Sequence, residues 1–123
     1  MMPEWREDQP IYRQLRDKVA DAIIQGSLKE GEPLPSVRNI AVEMHINPLT
    51  ASKAYQELVS EDLVEKRRGL GMFVLEGARA KLLSFERKQF LEEEWPAIVK
   101  RLQALGMSAE DLLSGITNKA GDK

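Results

Sequence analysis

Four side chains, Leu49, Ser52, Lys53 and Gln56, recur at three- and four-residue spacing and therefore share one face of a helix. None is costly to expose, and most can hydrogen-bond a base edge or a phosphate. Asn47, Pro48 and Thr50 crowd the start of the same helix, where free N–H groups and the positive end of the helix dipole favour an approaching phosphate. Capping alone would also account for Asn47 and Pro48. Upstream, Arg38 carries a guanidinium that can fork onto a phosphate or onto guanine O6 and N7. Downstream, Arg67, Arg68 and Gly69 fall at the tip of a glycine-containing turn, from which arginine can reach phosphates or a narrow minor groove. The chemistry these residues offer is nucleic-acid recognition.

The elements that must position them can be read from the same stretch. Val37, Ile40, Ala41 and Met44 form one apolar helical face behind Ser36, an N-cap residue. A second helix starts at Asn47 and Pro48, and its buried stripe is Ala51, Ala54, Tyr55 and Leu58. Only His45 and Ile46 separate that cap from the preceding helix, and Ala41 is small where the two must cross, which makes a helix-turn-helix. Before it, Ile11, Leu15, Val19, Ala22 and Ile23 give a first helix ending near Gly26, with Gly31, Pro33 and Pro35 as a stiff connector. Residues 1–9 read as a polar extended arm whose only large apolar group is Trp5. After the second helix, Leu63 and Val64 begin an extended segment that returns through Met72, Phe73, Val74 and Leu75, with Gly69 and Gly71 allowing a tight turn. This hairpin is read as a wing.

Three motifs in this order, Leu34-Pro35-Ser36-Val37-Arg38, Asn47-Pro48-Leu49-Thr50 and Arg67-Arg68-Gly69-Leu70-Gly71-Met72-Phe73-Val74, carry a resemblance. Over residues 10–76 the chain resembles the DNA-binding domain of GntR-type transcriptional regulators. The short helical remainder resembles the YtrA-like branch of that family, in which a small C-terminal part dimerises the protein. The resemblance implies that Arg38 contacts DNA. It also implies a sequence-specific regulator, expected to be a repressor, with its second helix in the major groove and its wing on the backbone or minor groove. His45 stands where the family commonly has glycine, so a positive φ is expected there, which His tolerates better than most residues.

The fold expected is mainly α with a small β-hairpin: a winged helix-turn-helix DNA-binding domain over residues 1–77, then a short α-helical dimerisation region over residues 78–123. In the second part Phe90, Leu91, Trp95, Ile98, Val99, Leu102 and Leu105 recur at helical spacing. Pro96 should kink this helix or start a new one, and Gly106 should end it. Ser108 and Asp111 are close to a capping box, Leu112, Leu113 and Ile116 read as a last buried turn, and a polar tail follows from Asn118. These residues carry more apolar side chains than two or three helices can bury alone, so packing on the winged domain is one expected outlet and a homodimer seam the better one.

The whole chain of 123 residues has a formal charge of −2, against the basic footprint expected of a nucleic-acid binder. Placement resolves this: Arg38, Lys53, Lys66, Arg67 and Arg68 gather at the contact end, whereas Glu57, Glu61 and Asp62 sit at the far end of the second helix. Modest non-specific affinity and a few well-placed contacts are therefore expected. One histidine and no cysteine leave no zinc site, disulfide or histidine-dependent triad, and an enzyme is not expected. Gly69-Leu70-Gly71 is too short for a phosphate-binding loop. No cofactor is expected, no apolar run is long enough to span a membrane, and a cytoplasmic location is expected. The partners expected are an operator in double-stranded DNA and a second copy of the chain. No motif names an effector, and the C-terminal part is too short to enclose a large pocket of its own, so small-molecule control would act at a seam. The competing reading is a winged-helix module for protein–protein assembly.

Overall fold

The computed structural model describes residues 4–121, with side chains described through residue 115. Six helices, one π-helical turn and two strands follow in order. Helix α1 (Ile11–Gln25) ends at Gly26, which takes a left-handed φ of 88° and returns its N–H to Ala22 and Ile23, as a glycine C-cap does. Helix α2 (Val37–Met44) begins where Ser36 Oγ accepts the Asn39 N–H at 3.1 Å. It stops at His45, whose φ of 56° and ψ of 49° are left-handed. Helix α3 (Pro48–Ser60) begins with Asn47 Oδ1 accepting the Leu49 N–H at 2.8 Å and Pro48 in the first turn. The expected stripe of Ala51, Ala54, Tyr55 and Leu58 is fully buried.

These three helices share one core with Leu34, Leu63, Val64 and Val74. Tyr55 is its largest sealed side chain. Its hydroxyl donates to the Pro35 carbonyl at 2.8 Å, tying the connector to α3, and burial, with Glu43 adding to it, pushes that hydroxyl well above the usual tyrosine range. At the far end of α3, Asp62 is a second left-handed residue with φ 58°, and the Leu63 N–H returns to the Leu58 carbonyl. The sequence offered no glycine there to mark that turn.

Strands β1 (Val64–Arg67) and β2 (Gly71–Val74) pair antiparallel, with Val64 opposite Val74 and Arg67 opposite Gly71. The connector adds to this ribbon. Gly31 N–H donates to Val74 O, Val74 N–H to Glu32 O and Leu34 N–H to Met72 O, at 2.8–2.9 Å, and Pro33 bridges Phe73. Strand β2 therefore has partners on both sides, which removes an open edge. Residues 5–9 are not a free arm. Gln14, a buried polar side chain on α1, accepts the Arg6 N–H and donates to the carbonyls of Arg6 and Gln9, while Trp5 packs against the core.

Helix α4 (Ala78–Gln89) starts in the same compact unit, because Ala78 and Leu82 are buried in the shared core. The unit accordingly runs to Ser84, past the division expected after residue 77, and a second unit begins at Phe85. In that second unit a π-helical turn (Phe90–Glu94) precedes α5 (Trp95–Ala104). Pro96 has no N–H to give a fourth-residue carbonyl, and the wider turn, with Trp95 N–H on Phe90 O, accommodates it. Gly106 closes α5 with φ 68°. Helix α6 (Ala109–Gly121) opens on the reciprocal pair expected, Ser108 N–H to Asp111 Oδ2 at 2.9 Å and Asp111 N–H to Ser108 Oγ at 3.3 Å. Two expectations need correction. The backbone stays helical to Gly121, so the polar tail read from Asn118 begins inside α6 rather than after it, and Leu113 is exposed rather than buried while Leu112 is half-buried. Periodicity marks an apolar face there, but no described residue covers Leu113; the side chain of Ile116 lies outside the described ones.

Candidate nucleic-acid interface

Helix α3 buries one side and presents the other. Leu49 is 79% exposed, Lys53 and Gln56 are exposed, Ser52 is half-buried, and Gln56 Nε2 lies 3.3 Å from Ser52 Oγ. Asn47 and Pro48 are exposed at its start, and Thr50 is half-buried. Asn47 is already engaged as a cap. Arg38 sits exposed in the first turn of α2 and makes no ion pair among the described residues.

A cleft of about 490 Å³ brings three elements together. Ser36 and Val37 enter it from the start of α2, Ser52 and Gln56 from the outer face of α3, and Lys66 and Gly71 from the ribbon. Lys66 joins the contact end as its charge predicts, whereas the sequence marks Ser36 only as a cap; their place beside α3 follows from tertiary packing, which no local motif announces. The expected helix face and the wing thus border one concave surface.

At the wing, Gly69 and Gly71 take φ of 77° and 106°, a region where a side chain would be strained. The Leu70 N–H closes the turn onto Arg67 O at 2.9 Å, and Leu70 itself is exposed at the tip. The two arginines differ. Arg67 Nε lies 2.9 Å from Glu65 Oε2, and its guanidinium carbon is 4.2 Å from the centre of the Phe73 ring. Arg68 is exposed and has no such partner among the described residues. A second fixed cation is found at the start of α3, where Lys53 Nζ stands 4.2 Å over the Tyr12 ring of α1.

The acidic end of α3 is occupied elsewhere. Glu61 holds Arg16 of α1 through both carboxylate oxygens, with Nε to Oε2 at 3.1 Å, and Asp17 holds the same guanidinium at 2.9 Å. Burial works against the Arg16 charge, but the bonds to Glu61 and Asp17 outweigh it and hold its pKa above the ordinary value. Negative charge is therefore neutralised away from the basic end of the helix. Among the described residues no cluster of His, Asp and Glu could hold a metal ion, and no helix is long and apolar enough to cross a membrane.

Comparison with known proteins agrees with this geometry. Residues 11–74 match the family described as bacterial regulatory proteins, gntR family. The HTH-type transcriptional repressor YtrA of Bacillus subtilis is 32% identical over 95% of this chain and 89% of its own. A GntR family transcriptional regulator from Listeria monocytogenes superposes with a TM-score of 0.73 at 26% identity, covering 93% of this chain and 98% of that one. The DNA-binding domain of AraR, solved in complex with an operator, superposes with a TM-score of 0.53 at 26% identity over 60% of this chain and 87% of its own. The similarity extends beyond the helix-turn-helix to nearly the full length of YtrA, and these relatives are DNA-binding regulators rather than enzymes or assembly modules. On this match of motif, fold and extent, the chain belongs to the GntR family of bacterial transcriptional regulators.

Proposed function

We propose that the chain represses transcription by binding a palindromic operator as a homodimer, α3 entering the major groove and the wing lying on the backbone or minor groove. The observation that carries this is the cleft where α2, the outer face of α3 and the ribbon converge. A surface of that shape lets one element read base edges while its flanks hold phosphates, which set register. Leu49, Ser52, Lys53 and Gln56 are then the helix contacts, with Asn47, Pro48 and Thr50 at its leading end. Arg38 is the forked contact on phosphate or guanine, and Arg67, Arg68 and Gly69 belong to the wing. The repressor assignment is supported by the similarity to YtrA, a transcriptional repressor, and an operator as target by the AraR complex.

The unit beginning at Phe85 is assigned to dimerisation. Phe90, Leu91, Ile98 and Leu105 are exposed there, with Trp95, Val99 and Leu102 half-buried, and an apolar face of this kind favours a self-complementary two-fold seam. Two copies would carry two α3 helices onto half-sites about one helical turn apart. The test is to select bound sequences from a random duplex pool with the full chain, then measure Arg38→Ala on the winner. The expected result is a palindrome and a loss of about 1–3 kcal/mol for Arg38→Ala with folding intact. An asymmetric site, or no enrichment at all, would overturn the reading.

A further inference from the structure

We propose that Tyr12 is a positioning residue for DNA binding: its ring holds the Lys53 ammonium at the flank of α3, where it grips a backbone phosphate rather than a base edge. The inference rests on the DNA-binding reading above and adds to it a residue of α1 and a division of labour along α3.

The geometry has three parts. First, Lys53 Nζ lies 4.2 Å from the centre of the Tyr12 ring, within the range at which a cation is held by the face of an aromatic ring. Tyr12 is half-buried and packed against the core, so the ring is a fixed shelf on α1. Second, Pro10, Ile11, Tyr12, Leu49, Thr50 and Lys53 line a shallow hollow of about 590 Å³ between the starts of α1 and α3. Among the described residues Lys53 is the only charged one in that lining, so none of them cancels its charge there. Third, the wing shows the opposite arrangement. Arg67 also rests on a ring, that of Phe73, but it is paired with Glu65.

A lysine is a point charge on a flexible stem. Left free it would sample many positions around the start of α3; held on Tyr12 it is turned toward α1, leaving Ser52 and Gln56 to the base edges. An ammonium on a ring face still has donors free on its open side, and a phosphate needs no more than that.

The test uses the full chain, fluorescence anisotropy on the selected operator and on a random duplex of the same length, and a series of salt concentrations. Lys53→Ala should weaken both duplexes by a similar factor and lower the salt slope by about one unit, the signature of one lost phosphate contact. Tyr12→Phe, which keeps the ring, should retain the parental slope. Tyr12→Leu should weaken binding several-fold, and adding Lys53→Ala to it should cost less than Lys53→Ala alone, because the two act as one unit. An undiminished cost in the Tyr12→Leu background, or a Lys53→Ala loss confined to the operator, would overturn the proposal. Should Tyr12→Leu fail to fold, nuclear magnetic resonance of the parent decides: the Lys53 Cε protons should be shifted upfield by the ring current, and unshifted protons would overturn it. A normal Lys53→Ala beside a weakened Arg38→Ala defeats this inference alone, whereas a parent that binds no duplex defeats the reading beneath it.

Discussion

In the winged unit Tyr55, Leu58 and Leu63 are sealed from solvent, whereas in the unit beginning at Phe85 Leu91 is 60% and Leu105 57% exposed. Both stretches are amphipathic and helical, so the contrast does not come from composition alone. In the first, α1, α2, α3 and the ribbon converge, and each apolar stripe meets another. In the second, α5 and the start of α6 show Trp95, Val99, Leu102 and Leu112 half-buried and no fully buried side chain among the described ones. Phe90 and Trp95 form an aromatic pair there, 6.3 Å between ring centres. The difference teaches that the two halves are stabilised by different things. A closed core supports the reading surface whatever the protein concentration, and the other half depends on what covers it.

The contrast is broken most severely inside the core. Leu58→Ala should cost about 2–5 kcal/mol, as a fully buried leucine does when its cavity cannot collapse, and the loss in denaturant melts should be the same at low and high protein concentration. A concentration-dependent loss would mean that the winged core is itself completed by a partner. Next in size, charges placed together at Leu91 and Leu105 (Leu91→Glu with Leu105→Glu) should convert the proposed dimer to monomer in sedimentation and weaken binding to the proposed palindrome at least tenfold, about 1.4 kcal/mol, while half-site binding is unchanged. An unaltered sedimentation coefficient would show that these side chains are not the seam. Within the wing, Arg68→Ala should lower the salt slope by about one unit, and Arg67→Ala by less, because Glu65 already neutralises that guanidinium. Equal slopes would show that the Glu65 pair opens on DNA.

What could be read in advance followed how far apart the interacting residues stand in sequence. The Ser36 and Asn47 caps, the Gly26 and Gly106 stops and the left-handed His45 depend on neighbours within a turn, and all were legible. The buried stripe of α3 was legible because helical period alone selects it. Gln14 was not, since its partners are the Arg6 and Gln9 backbone and nothing in a periodic pattern marks a glutamine as buried. The second partner of β2, the Tyr12 shelf under Lys53 and the Glu65–Arg67–Phe73 stack were likewise hidden, because each joins segments through the tertiary fold. Leu113 shows the converse: its period was right, but periodicity does not say what covers a face.

The smallest expected effect lies where the two halves join. Helix α4 begins in the winged unit and ends in the next. Glu30, from the connector after α1, helps to cap its start: its carboxylate accepts the backbone N–H groups of Gly77 and, at 3.1 Å, of Arg79. Arg79 Nε in turn donates to the Ile24 carbonyl at 2.8 Å. The Gly77 bond first, then the Arg79 bond, holds the Glu30 pKa below the ordinary carboxylate value of 4.5, with desolvation opposing them. A pKa lowered by folding means that the unfolded chain takes up the proton more readily. The stabilisation is therefore complete above the unfolded value and is lost as pH falls through the folded one. Because Glu30 is fully exposed, the effect is small, but its sign is fixed. Glu30→Gln should lower the melting temperature slightly at neutral pH, and the gap to the parent should close as the solution is acidified below the ordinary carboxylate value. A gap that stays constant into acid would mean that the charge plays no part in the cap. The burial of Ala78 and Leu82 alone would then hold the first turns of α4 to the winged core.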